Sequence, residues 1–137
     1  MRRLLSVLGL LVAGSTLAQD APPRNTQVQA TRQFLSAALR GDTAAIRWLA
    51  PELRQKLGAA GMQKSLAVLA AAGQRRGTDI ELYKLGYWLE ADGNSRPFVA
   101  YAWAADSVLK LKREWLQVAF RDSAARRVLE FELRTLK

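Results

Sequence analysis

The sequence contains no cysteine and no histidine among its 137 residues. Without thiols there is no disulfide, so the fold rests on packing and hydrogen bonds alone. The same two absences remove a thiolate nucleophile, an imidazole base, a Ser-His-Asp triad and the usual zinc ligands. Acidic residues are few, twelve against twenty-one bases. Asp20, Asp42, Asp79, Asp92, Asp106 and Asp122 stand singly, unlike the clustered carboxylates that bind calcium or magnesium, and the sequence points to no metal and no cofactor. Long apolar runs are also scarce. The longest, Leu4 to Ala13, is about half of what a helix needs to cross a hydrocarbon core, which argues against a permanent membrane span.

That one run has a specific context. Arg2 and Arg3 precede it, and Thr16, Leu17 and Ala18 follow it before Gln19, the pattern of a secretory signal peptide over 1–18. The expected mature protein is therefore exported, periplasmic or extracellular. Export without disulfides is ordinary for a bacterial protein. Removal of the signal takes two bases and no acid, lowering the net charge from +9 to +7. Such an excess favours phospholipid headgroups, acidic polymers or nucleic acid, although Arg75-Arg76, Lys110 with Lys112-Arg113, and Arg126-Arg127 are short clusters rather than a basic tail.

Half of the chain is hydrophobic and it carries eleven aromatic residues, enough for one core in one domain over 26–137. Residues 19–25, with Pro22-Pro23, read as a flexible leader. From 26 to 40, Val28, Thr31, Leu35 and Ala38 recur at helical spacing with Phe34 and Leu39 beside them, while Gln29, Gln33, Ser36 and Arg40 form the polar side. Gly41 predicts a stop, and Asp42 a cap for a helix over 43–50 that buries Ile46 with Trp48 or Leu49. Pro51 opens a third helix to Leu57, ended by Gly58. Met62, Leu66 and Leu69 mark a fourth to about Ala72, their stripe reading as core.

After Gly77 the period becomes alternating. A strand from Ile80 to Leu89 changes parity around Gly86, which suggests a bulge there. Asp92-Gly93-Asn94 turns the chain into a strand over 96–104. A third strand is expected over 108–121, with Leu109 and Leu111 inward and a second bulge near Arg113 to Trp115. The fourth spans 127–136, and an even-length loop sets Leu129, Phe131 and Leu133 opposite Leu116, Val118 and Phe120. Helices followed by strands imply an α+β domain, its N-terminal helices packed on a curved four-stranded antiparallel sheet.

The run from Phe34 through Leu39-Arg40-Gly41-Asp42 to Ile46, followed by Leu49-Ala50-Pro51-Glu52-Leu53, resembles the opening helices of the nuclear transport factor 2-like superfamily. The strand-rich second half is similar as well. The resemblance implies a cone in which the sheet wraps the first helix, an apolar pocket at its open end, and dimers formed through the sheet. Members include ketosteroid isomerase-like enzymes, dehydratases that use an Asp-His pair absent from this chain, and inactive binding modules.

Three functional classes follow. An isomerase-like enzyme would use Asp106 or Glu81 as a desolvated base with Tyr87 or Tyr101 as hydrogen-bond donor. A non-catalytic module would bind a small molecule or a protein through Tyr87, Trp88, Tyr101, Trp103 and Trp115. An anionic surface or nucleic acid would be held by the net positive charge near Lys110, Lys112 and Arg113. The residue inventory favours the binding module.

Overall fold

Gly41 and Asp42 form the corner around which the N-terminal half is arranged. In the computed structural model, which describes residues 22–137, helix α1 (Pro22–Leu39) ends just before Gly41, whose φ of 73° reverses the chain. Asp42 then caps a short 3₁₀ helix (Thr43–Trp48), its Oδ1 accepting the Ala44 N–H at 2.9 Å. The expected signal peptide over 1–18 and the first part of the leader, 19–21, lie outside the described residues. Helix α1 begins four residues earlier than the periodicity suggested. Pro22 and Pro23 occupy its first turn, where a missing N–H costs no hydrogen bond.

Helix α2 (Pro51–Arg76) contains both the third and fourth expected helices, joined across a kink at Gly58, which has φ 69° and ψ 176°. A residue with a side chain is strained in that conformation, so glycine places the break. The two long helices come into close backbone contact at Gly73. A Cβ there would lie 1.9 Å from the Leu39 carbonyl oxygen.

Four antiparallel strands follow in the order β1-β2-β3-β4: β1 (Ile80–Leu89), β2 (Ser95–Trp103), β3 (Glu114–Ala119) and β4 (Glu130–Thr135). The molecule is an α+β domain with helices packed on one face of the sheet. Val99, Tyr101, Trp103, Leu116 and Val118 form that face and meet Phe34, Leu35, Leu39 and Leu69 in a single core. The expected β3–β4 register is present, with Leu116 opposite Leu133 and Val118 opposite Phe131. Phe131 in turn meets the Phe34 ring edge-on at 5.1 Å.

Three expectations need correction. The irregularity in β1 falls between Leu82 and Lys84 and not at Gly86, so Tyr83 is the extra residue. Gly86 instead admits the Phe98 ring, which would lie 2.9 Å from an added Cβ. Strand β3 starts at Glu114, and 108–113 form no strand and hold no bulge. Leu109 and Leu111 are 44% and 65% exposed rather than inward. Strand β4 starts at Glu130, because Val128 is spent on a parallel bridge to Leu49 that ties the helical layer to the sheet. Gln27, fully buried on α1, adds a second tie by donating through Nε2 to the carbonyls of Asp122 and Ala125, each at 2.8 Å.

Candidate binding site

From the close crossing at Gly73 and Leu39, the helical layer opens into a wedge. Helix α1 contributes Ala38, the corner contributes Gly41 to Thr43 and Ile46, and α2 contributes Ala59, Met62, Leu66 and Ala70. The opening has a volume of about 420 Å³, within the range of small-molecule sites. Met62 and Leu66 rest partly on the core and turn the remainder of their surface to the wedge. Their spacing was legible as a helical stripe, but the half-burial was not. It arises because small residues, Ala38 and Ala70 with Gly41, stand where bulkier side chains would fill the gap. One wall is fixed from outside by Arg54, whose Nη2 donates to the Ile46 carbonyl at 3.0 Å. Asp42, Thr43 and Gln63 supply the polar rim.

The five aromatic candidates do not converge. Tyr101 and Trp103 are 1% exposed within the core. Their polar atoms are engaged there, Tyr101 Oη donating to the Val28 carbonyl at 3.1 Å and Trp103 Nε1 to the Gly77 carbonyl at 3.0 Å. Burial pushes the Tyr101 hydroxyl above its ordinary pKa, with the Arg32 guanidinium pulling the other way. Trp88 and Trp115 lie on the sheet face away from the helices. Trp88 stacks on Phe98 at 5.3 Å, and Trp115 meets the Tyr83 ring at 5.9 Å with Lys84 over both rings of that second pair. Tyr87 is exposed on edge strand β1.

Asp106 is bound into an ion-pair network. Both of its carboxylate oxygens accept from Arg76 Nη2 at 2.8 Å, and Arg76 Nη1 donates to Glu114 at 3.1 Å. Arg75 completes the network with a 3.0 Å bond to the same Glu114 oxygen. Hydrogen bonds from Arg75 and then Arg76 hold the Glu114 carboxyl below its ordinary pKa. The Asp106 pair raises that of Arg76, whose guanidinium lies 4.5 Å above the Trp103 ring. Glu81 is exposed and pairs in register with Ala102. Neither candidate tyrosine serves these carboxylates: Tyr101 is committed to Val28, and Tyr87 lies at the opposite end of β1, roughly 20 Å along the strand from Ile80. The geometry assembles no acid-base pair from these residues.

Compared with models of known protein families, with curated proteins and with solved structures, the chain matches none. The site is therefore read from its own geometry. Among the described residues no group of three or more His, Cys, Asp or Glu comes together to hold a metal ion, and no helix is long and apolar enough to cross a membrane.

A second surface is apolar. Beyond Ile80, the helix-side positions of β1 are uncovered, with Leu82 46%, Leu85 45% and Leu89 74% exposed. The helical layer reaches β2 and β3 but leaves this edge open to solvent. Alternation in the sequence set Leu82 and the pair Leu85 and Leu89 at opposite parity; the extra residue Tyr83 is what brings them to one face, and the pattern did not show that the helices end short of them.

Proposed function

We propose that this protein is an exported, non-catalytic binding domain that takes an apolar small molecule into the wedge between α1 and α2. The observation that supports this reading is the wedge itself, about 420 Å³ lined by Ala38, Ile46, Met62 and Leu66 with polar groups only at its rim. The nuclear transport factor 2-like cone belongs to the same reading. That superfamily includes inactive binding modules, and the helix–Gly-Asp–helix opening followed by a four-stranded antiparallel sheet is compatible with it.

A neutral fluorescent probe, N-phenyl-1-naphthylamine, tests the site without recruiting the arginines. The expected result is saturable enhancement with the purified protein, weakened at least tenfold by Ala67→Phe, which fills the wedge from an exposed position, and by Met62→Lys. Equal binding by both variants and the parent would place the probe elsewhere and defeat the assignment. A second reading, association of two copies through the sheet, is favoured by the exposed leucines of edge strand β1.

A further inference from the structure

On the other side of the Gly41–Trp48 corner lies a groove of different chemistry. Arg32 and Ser36 stand one turn apart on α1, Arg40 follows at the same spacing just past the helix end, and Arg47 with Trp48 faces them from the 3₁₀ helix. The groove has a volume of about 520 Å³. Its sole carboxylate, Asp42, already caps Ala44 through one oxygen and lies 3.8 Å from Arg40 through the other. Among the described residues Arg75, Arg76, Arg96, Arg121 and Arg134 are each set against a carboxylate, whereas Arg54, Arg113, Arg126 and Arg127 are not. Arg32 and Arg47 also have no carboxylate partner among the described residues, Arg32 being set instead against the neutral Tyr101 hydroxyl, and here the two charges share one concavity with Arg40.

Arg32, Arg40 and Arg47 bring three positive charges to one concavity against a single carboxylate, an excess that an anion would offset. Val128 donates to the Trp48 carbonyl at 2.7 Å, which fixes the end of the segment that carries Arg47. Planar guanidinium forks suit tetrahedral oxyanions, to which they donate paired hydrogen bonds. Ser36 and Gln33, also on the groove wall, supply neutral donors.

We propose that the groove formed by Arg32, Ser36, Arg40 and Arg47 binds a phosphate group, either of a free phosphate compound or of an anionic lipid headgroup. It rests on the arginines and not on the apolar wedge, so either site stands if the other fails. Trp48, half-buried at the groove, serves as a reporter.

The test titrates the purified protein with inorganic pyrophosphate while tryptophan emission is followed, with Trp48→Phe identifying the responding indole. Vesicles of phosphatidylglycerol, against phosphatidylcholine, form a second arm read by co-sedimentation. The expected result is saturable binding in at least one arm, weakened at least tenfold by Arg47→Gln and by Arg40→Gln, both exposed positions. Arg113→Gln makes the same charge change away from the groove and is expected to leave binding within twofold. Binding of pyrophosphate identifies a free phosphate compound, and binding of phosphatidylglycerol vesicles alone identifies a headgroup. The proposal is overturned if neither arm binds, or if all three arginine variants lose affinity equally, which would reduce the effect to net charge.

Discussion

At the scale of single residues, the informative glycine is Gly73, and its role is hidden in the sequence because a glycine near a helix end reads as a stop. It lies inside α2, where alanine is ordinarily favoured by about 1 kcal/mol through helix propensity. Here a Cβ would meet backbone, 1.9 Å from the Leu39 oxygen and 2.7 Å from its carbonyl carbon, so the two helices must separate to admit it. Overpacking of that kind costs about 1–3 kcal/mol or more, and against a backbone neighbour the upper end applies. Gly73→Ala is therefore expected to lose about 2 kcal/mol net, seen as a lower urea midpoint. Gly61→Ala is the control: its Cβ would touch only the Leu57 side chain at 3.2 Å, and the substitution is expected to be neutral or mildly stabilising. Asp42, by contrast, was legible, since a short acceptor side chain directly after a helix-ending glycine has a backbone donor to satisfy.

At the scale of elements, the segment between β2 and β3 shows where alternation misleads. Val108, Leu109 and Leu111 extend an apolar pattern backward from Leu116, yet Val108 is 87% exposed and the strand begins only at Glu114. Polar ties set this boundary. Lys112 Nζ donates to the carbonyls of Asp106 and Leu109 at 2.6 and 2.7 Å, while Arg76 holds Asp106 on one side and Glu114 on the other. Charge partners so distant in sequence leave no periodic trace, whereas the β3–β4 register did, because two alternating runs joined by a short loop admit few pairings. The network also makes a pH prediction. The Glu114 carboxyl is depressed below its ordinary pKa in the folded state, so its stabilisation is complete above the unfolded value and is lost as pH falls through the folded one. Glu114→Gln is expected to lower stability near pH 7 by about 1–2 kcal/mol, since a charged hydrogen-bonded pair becomes a neutral one. The loss should begin to shrink as pH falls through about 4, the ordinary glutamate range in which the unfolded parent takes up its proton, and shrink further as the folded parent's carboxyl is protonated at lower pH. Urea unfolding of both proteins across pH 3–7 checks this, and a constant difference over that range would remove Glu114 from the acid response.

At the scale of the whole molecule, the division into an N-terminal helical half and a C-terminal sheet was readable from the change of period after Gly77, but the extent of coverage was not. Two long helices, one of them kinked, do not blanket a sheet whose first strand runs for ten residues, and β1 carries the consequence. Beyond Ile80 it presents Leu82, Leu85 and Leu89 beside an edge that no other strand occupies among the described residues, with Glu81 and Lys84 the sole charges on the strand. Exposed apolar edges of this length favour pairing between chains. Net positive charge, +9 for the full chain, opposes that approach at low ionic strength. The two forces respond to salt in opposite ways: screening weakens the repulsion while apolar burial persists, so self-association is expected to strengthen between 20 mM and 300 mM salt. Leu85→Lys and Leu89→Lys place a charge on the exposed edge without disturbing the core, and each is expected to keep the parent's thermal midpoint within a few degrees while lowering self-association at least tenfold in sedimentation velocity. Phosphate binding at the arginine groove should run the other way and weaken with salt, because it depends on the same charge that keeps the copies apart. If self-association also declined as salt rose, attraction between opposite charges would be holding the copies together, and the leucine edge would not be their contact.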